Sequence, residues 1–408
     1  RNPTLMIKPD YAGGGIVNLM SSLLRARGGD SSLPEASLLP SAELAGHRHL
    51  VLIVIDGLGA DWLTAQAPNG FLSAHRLGAL TSVFPSTTAA AVTSFLTGVP
   101  PAQHGVTGWF TWLRELGCVM KMLPGQPRCG GQGNWGMVED LSWLFSCPSV
   151  FGRIATGSTL ISPKQIAHSA FSRAHAGPAR VRPYRNLKDF FRQIEQAIKR
   201  TRAPSYIYAY WSELDHLGHK HGIDSPAASA HLHQLDQGLA ALSQRLSGHD
   251  ACLLVTADHG QLDCTAADQT QIADHPELAD CLRMPLCGEP RAAFCYTRGD
   301  SMEAFEQAVH SALNGRFDLM HSQQLMDQGF FGPGDPHPEL RHRIGDIVLL
   351  GRDSAVIGDH LPTEKPFKQV GVHGGLSRAE MLVPLCLIRV FDSVAGSGES
   401  SSLSSAAR

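Results

Sequence analysis

The chain has little that would mark a disulfide scaffold, a membrane protein or a nucleic-acid binder. Its nine cysteines are scattered over 408 residues. An odd number with no CxxC pair argues against a disulfide framework and fits a reducing compartment, so a cytoplasmic location is expected. No apolar run reaches the roughly 18 residues of a membrane span. The opening stretch RNPTLMIKPDYAGGG lacks the apolar centre of a signal peptide. It starts with Arg rather than Met, which leaves a cleaved leader open. Lys and Arg number 34 against 37 Asp and Glu, a net charge of −3. Nothing in that balance points to a nucleic-acid polymer as partner. No internal repeat is visible.

What is present is an alternation of short apolar runs with helical periodicity. The length suits one large α/β domain with insertions, or two domains. The pattern predicts α/β/α layers on a mainly parallel sheet. Strands are expected near 51–55, 78–85, 158–163, 205–215, 251–259, 291–297, 346–351 and 381–391. Helices are expected over 16–26, 88–96, 164–174, 186–200, 226–246 and 302–313. The expected division is an N-terminal extension (1–46), a catalytic core (47–262) with an irregular cover (98–148), a cap or insert (263–362), the rest of the core (363–392), and a disordered tail (393–408).

Chemistry gathers at the strand ends. In HLVLIVIDGLGADWL the branched run Val51–Ile55 stops at Asp56-Gly57. Such a run reads as a buried strand, and open α/β sheets place ligands at the carboxyl ends of their strands. Alone, Asp56 is as easily a helix cap. Three later stretches end alike: Asp215 with His219, Asp258 with His259, and His373. One helical turn puts Asp215 and His219 on the same face. Three Asp and three His suffice for two divalent ions, with zinc, manganese and iron all compatible. The 20 histidines fit a metal enzyme without requiring one. A nucleophile candidate lies in FPSTTAAAVTSFLTG, where Thr88 opens a helix whose free N–H groups attract an anion. A Thr hydroxyl needs a base or a metal to give up its proton. From the local pattern alone, a capping role for Thr88 or Thr87 is the simpler reading.

The ordered set IVIDGLG, VFPSTTAAAVTSFLTGVPPAQHG, SELDHLGH, TADHGQ and VHGG resembles the alkaline phosphatase superfamily, and more narrowly its type I phosphodiesterase/nucleotide pyrophosphatase family. The resemblance covers roughly residues 50 to 390. It implies an alkaline-phosphatase-like core, a small phosphate-ester substrate and two divalent ions, usually zinc. Carried over by position, Asp56, Thr88, Asp258 and His259 hold one ion, and Asp215, His219 and His373 the other. Thr88 is then the nucleophile of a covalent phospho-threonine route, with the N–H of Ala89 as oxyanion donor. Monoester or phosphonate hydrolysis is the alternative within the superfamily, and a non-catalytic metalloprotein is the alternative outside it. The chain also departs from the family. HGVTGWF puts Gly108 and Trp109 where nucleotide pyrophosphatases carry a phosphoryl-binding Asn. Ala89 replaces the aromatic residue common in nucleotide-hydrolysing members, so a nucleotide substrate is not implied. Trp109, Trp112, Trp135 and Trp143 cluster in the cover, where core packing is a simpler role than stacking on a substrate. Arg114 and Lys121 are possible phosphate donors. His216 and His221 should point away from the DxxxH face, and His104 should shape a turn.

Overall fold

The computed structural model describes residues 6–129, 142–145, 147–362, 364 and 368–391. The tail from 393 and Trp135 fall outside the described residues. The strand His49–Ile55 is fully buried and pairs in parallel with Ser205–Trp211 on one side and Ala251–Thr256 on the other. Its branched residues favour the extended backbone, and helices cover both faces of such a strand. The full sheet has seven strands, in the order Arg76–Thr81, Leu382–Val390, Ala251–Thr256, His49–Ile55, Ser205–Trp211, Gly157–Pro163, Arg180–Tyr184. Only the pairings made by Leu382–Val390 are antiparallel. This is the expected mainly parallel α/β arrangement.

The N-terminal stretch contributes a helix to the core. The helix Ile16–Ala26 buries Ile16, Leu19, Met20 and Leu23 in the cluster that surrounds the main sheet. It packs against the helix Thr88–Thr97.

The stretch expected to be irregular contributes three strands, Phe110–Leu113, Cys118–Lys121 and Gln126–Pro127. They join Cys287–Glu289, Ala292–Cys295, Ile347–Gly351 and Phe317–His321 in a second, antiparallel seven-stranded sheet. Strands of two to four residues are too short to display a period of two, so their pairing was not readable locally. Cover and insert thus form one structure. The predicted helix near 164–174 begins later, at Ala170, where Ser169 caps it.

A buried ion pair ties this second sheet to the loop after His373. Arg291 Nε and Nη2 donate to Glu380 Oε1 and Oε2 at 3.1 and 3.0 Å, and both side chains are inaccessible to solvent. Glu380 also accepts from the N–H groups of Gly375 (2.8 Å) and Ser377 (3.2 Å). Removing one partner leaves an uncompensated buried charge. Arg291→Met is expected to lower unfolding stability by about 3 kcal/mol, measured by urea denaturation; a loss below about 1 kcal/mol would contradict this coupling.

Candidate active site

The register of the parallel strands decides where the carboxylates meet. Ile55 lies opposite Trp211, and Val54 lies opposite both Tyr210 and Thr256. All three strands therefore end at one level. Asp56 follows the first directly, Asp258 follows Thr256 by two residues, and Asp215 lies in the first turn of the helix Glu213–His221. Gly57, at φ +79°, makes the turn after Asp56; a Cβ there would stand 3.1 Å from Asp215 Cα. Only glycine both adopts this backbone and admits the neighbouring helix so closely.

Ligand-type atoms of Asp56, Asp258 and His259 all lie within 4.8 Å of one another, as do those of Asp215, His259 and His373. His219 Nε2 stands 3.1 Å from Asp215 Oδ2, and His373 Nε2 is 3.7 Å from Asp215 Oδ1. His259 thus sits between the two groups, its ring stacked on His373 at a centroid distance of 3.7 Å.

Each imidazole is oriented in the same way. Nδ1 of His219, His259 and His373 donates to the carbonyl of Gly371 (2.8 Å), Gly260 (3.0 Å) and Ser86 (3.0 Å) respectively. That leaves Nε2 of each facing the carboxylates. This is the outer-shell pattern of metal-binding histidines. Asp258 Oδ1 accepts from the N–H groups of Gly57 (3.2 Å) and His259 (2.9 Å). Its Oδ2 is buried without a hydrogen-bond partner. A buried carboxylate oxygen without a donor is costly, and a cation would satisfy it. Gln261 steadies Asp215 through bonds from Nε2 to its carbonyl and to Oδ1.

The electrostatics agree. Burial, then the charges of Asp215 and Asp258, push Asp56 well above the ordinary carboxylate range. Burial raises Asp258 to about 6. Burial opposes ionisation of Asp215 too, but His219, with His373 and His259, outweighs it and holds that carboxyl below its usual value. His219 loses by burial and gains more from Asp215, ending at about 9. Burial lowers His259 to about 4 and His373 to about 3, so both are neutral near pH 7, the form that binds a metal.

Thr88 is the first residue of the helix Thr88–Thr97. Its Oγ1 lies 3.0 Å from His259 Nε2 and 3.5 Å from Asp56 Oδ1. His259 carries its proton on Nδ1, so Thr88 donates. Neither threonine caps the helix: Thr87 occupies the cap position without a capping bond, because its hydroxyl donates to Glu289 Oε1. The first-turn N–H groups, that of Ala89 included, therefore have no side-chain cap. Asp56, Thr88, Asp215, His219 and His373 open on a cavity of about 740 Å³.

Several residues correct the sequence reading. Arg114 pairs with Glu339 at 2.7 Å and is 54% exposed, and neither it nor Lys121 lines the cavity. His216 does line it, at the mouth. Trp109 lines the cavity, whereas Trp143 is solvent-exposed. His104 is structural as expected: Nε2 meets Ser94 Oγ at 3.0 Å and Nδ1 accepts from Val106 N–H. Glu289 and Tyr210 carry no local sequence signal. Tyr210 donates to Asp56 Oδ2. Glu289 Oε1 accepts from Thr87 and from the Trp109 N–H (2.7 Å).

A profile of the family described as type I phosphodiesterase / nucleotide pyrophosphatase matches residues 50–376. No curated protein matches the chain. Among solved structures, murine ectonucleotide pyrophosphatase / phosphodiesterase 5 is similar at a TM-score of 0.62 and 17% identity, over 82% of this chain and 87% of that one. The human protein of that name gives 0.62 and 16%, over 83% and 87%. Phosphonoacetate hydrolase from Sinorhizobium meliloti 1021, solved with phosphonoacetate, gives 0.62 and 18%, over 86% and 92%. At such identities the likeness is one of fold.

The protonation pattern sets the pH dependence of cation binding. Without a cation, burial and the neighbouring carboxylates push Asp56 up, and Asp215 raises His219 to about 9, so His219 holds a proton that a metal must displace. Zinc affinity measured by calorimetry should therefore rise from about pH 6 to about pH 8, with proton release that scales with buffer ionisation enthalpy. Saturating zinc should also raise the melting temperature of chelator-treated protein by several degrees, a shift that Asp258→Asn should largely remove. A pH-independent affinity, or an equal shift in the variant, would contradict the assignment.

Proposed function

We propose that this chain, which belongs to the type I phosphodiesterase / nucleotide pyrophosphatase family and is a phosphoric ester hydrolase, cleaves phosphodiesters with Thr88 as nucleophile at a two-metal site. One observation carries the reading. The Thr88 hydroxyl stands at a helix N-terminus against His259 and Asp56, on the rim of a donor set with an unpartnered buried carboxylate oxygen.

The donor set suits zinc, with manganese and iron also compatible. Asp56, Asp258 and His259, joined by Thr88, would hold one ion, and Asp215, His219 and His373 the other. When bound, two such ions supply charge neutralisation at the attacking and leaving oxygens and lower the pKa of a bound hydroxyl.

The chain's own groups do the rest. The helix start presents positive potential to the phosphoryl group, and the Ala89 N–H donates to the oxygen on which charge accumulates. Thr88 Oγ1, held against His259 Nε2 and Asp56 Oδ1, gives up its proton to solvent water and attacks phosphorus. The bond from phosphorus to the leaving oxygen breaks, and its electron pair departs with the alcohol. Water then attacks the phospho-threonine from the opposite side, and Thr88 Oγ1 leaves with the electron pair of the bond it had formed. The carbonyls of Gly371, Gly260 and Ser86 keep the three imidazoles fixed through both displacements.

Thr88→Ala tests the nucleophile. We expect kcat/KM for bis-p-nitrophenyl phosphate to fall by about a thousandfold or more, while zinc content by elemental analysis stays near that of the wild type. Unchanged turnover would remove Thr88 from the chemistry.

A further inference from the structure

The cavity is acidic beyond what its metal-type donors require. Glu289 and Glu213 both line it, and no Lys or Arg does so among the described residues. Glu213 is solvent-exposed at the mouth. Glu289 is buried, only 8% exposed, and is fixed from three directions. Thr87, the neighbour of the nucleophile, donates to its Oε1, as does the Trp109 N–H. On another side its chain packs on Gly374, the residue after His373: a Cβ on Gly374 would lie 2.6 Å from Glu289 Cβ. Gly374 has a φ of +120°, so a side chain there is disfavoured on both counts. The second carboxyl oxygen, Oε2, takes no hydrogen bond among the described residues. The Trp109 N–H, on the wall of the cavity, is committed to Glu289. The phosphoryl pocket thus has a carboxyl group in place of a further donor.

We infer that Glu289 is a specificity-determining residue that selects singly charged phosphodiesters over dianionic monoesters and nucleoside polyphosphates. This rests on the phosphoryl-transfer reading above. A dianion carries one more negative charge toward Glu289, whose carboxyl, pushed up to about 7 by burial, is ionised above neutral pH, and no Lys or Arg lines the cavity among the described residues to offset it. In a partly desolvated pocket, a like charge a few ångströms away costs on the order of a tenfold factor in binding. A diester has one ionisable oxygen fewer and escapes most of that cost. Its second ester group can meet Trp109 and Phe110, which also line the cavity.

Glu289→Gln removes the charge and keeps an oxygen that can accept from Thr87 and Trp109. Glu289→Asp keeps the charge and serves as the control for packing. For zinc-loaded enzyme, kcat/KM is measured for bis-p-nitrophenyl phosphate and for p-nitrophenyl phosphate at a pH well above 7, where the monoester is a dianion and the Glu289 carboxyl is ionised. Dissociation constants for the same two esters are measured by calorimetry on the Thr88→Ala protein with and without Glu289→Gln. We expect Glu289→Gln to shift the monoester-to-diester ratio toward the monoester by about tenfold in both rate and binding, and Glu289→Asp to leave the ratio near that of the wild type. An equal change for both esters would mean that Glu289 only supports the fold, and would overturn the inference. Should the wild type turn over neither ester, the hydrolase mechanism fails, yet the binding ratio still decides the role of Glu289.

Discussion

Three carboxylates stand at the ends of three neighbouring parallel strands, and among the described residues no Lys or Arg pairs with any of them; their ion-pair partners are histidines. Burying such a group costs several kcal/mol per charge unless something compensates it. The rest of the site answers that constraint. Asp56 responds with a pKa pushed well above the ordinary carboxylate range, and Asp215 by recruiting a proton onto His219. Asp258 keeps an oxygen without any donor. Divalent cations, as proposed, would resolve all three at once, and the fixed imidazoles would supply the remaining ligands. The proposed nucleophile would gain from the same arrangement, because the charge that neutralises the carboxylates would also make the Thr88 hydroxyl more acidic.

In the proposed reading, the second sheet gives this centre its selectivity. The main sheet supplies Asp56, Asp215 and Asp258 and thereby the reaction, whereas the antiparallel sheet supplies Glu289 and lies beside Trp109. The Arg291–Glu380 pair locks that sheet to the loop bearing His373. A change in the insert can therefore alter which ester is accepted while leaving the strand-end donors in place. This division of labour is common where a rigid α/β scaffold carries a site framed by loops and insertions.

The centre was readable in the sequence because its parts obey local rules. A branched apolar run ending in Asp-Gly, a DxxxH on one helical turn, and a Thr at a helix start each carry their geometry within a few residues. Their convergence follows from strand register, which a parallel sheet makes predictable. Glu289 was not readable: it meets Thr87 across 202 positions, from a strand of three residues with no periodicity to read. Arg291 and Glu380, 89 positions apart, are equally silent. The cover misled because its strands, which pair mainly with one another, are too short to show a period of two, and their one link to the insert sets Phe110 opposite Gly288. Arg114 and Lys121 illustrate the converse error, in which charge near a motif suggested proximity to the site that the fold does not provide.

The measurement that bears most directly on the two-metal centre is anomalous diffraction at the zinc edge from crystals of protein purified without chelator and supplied with zinc. The account predicts two peaks per chain, one bounded by Asp56, Asp258 and His259 beside Thr88 and the other by Asp215, His219 and His373. A single peak shared through His259, or none, would contradict it.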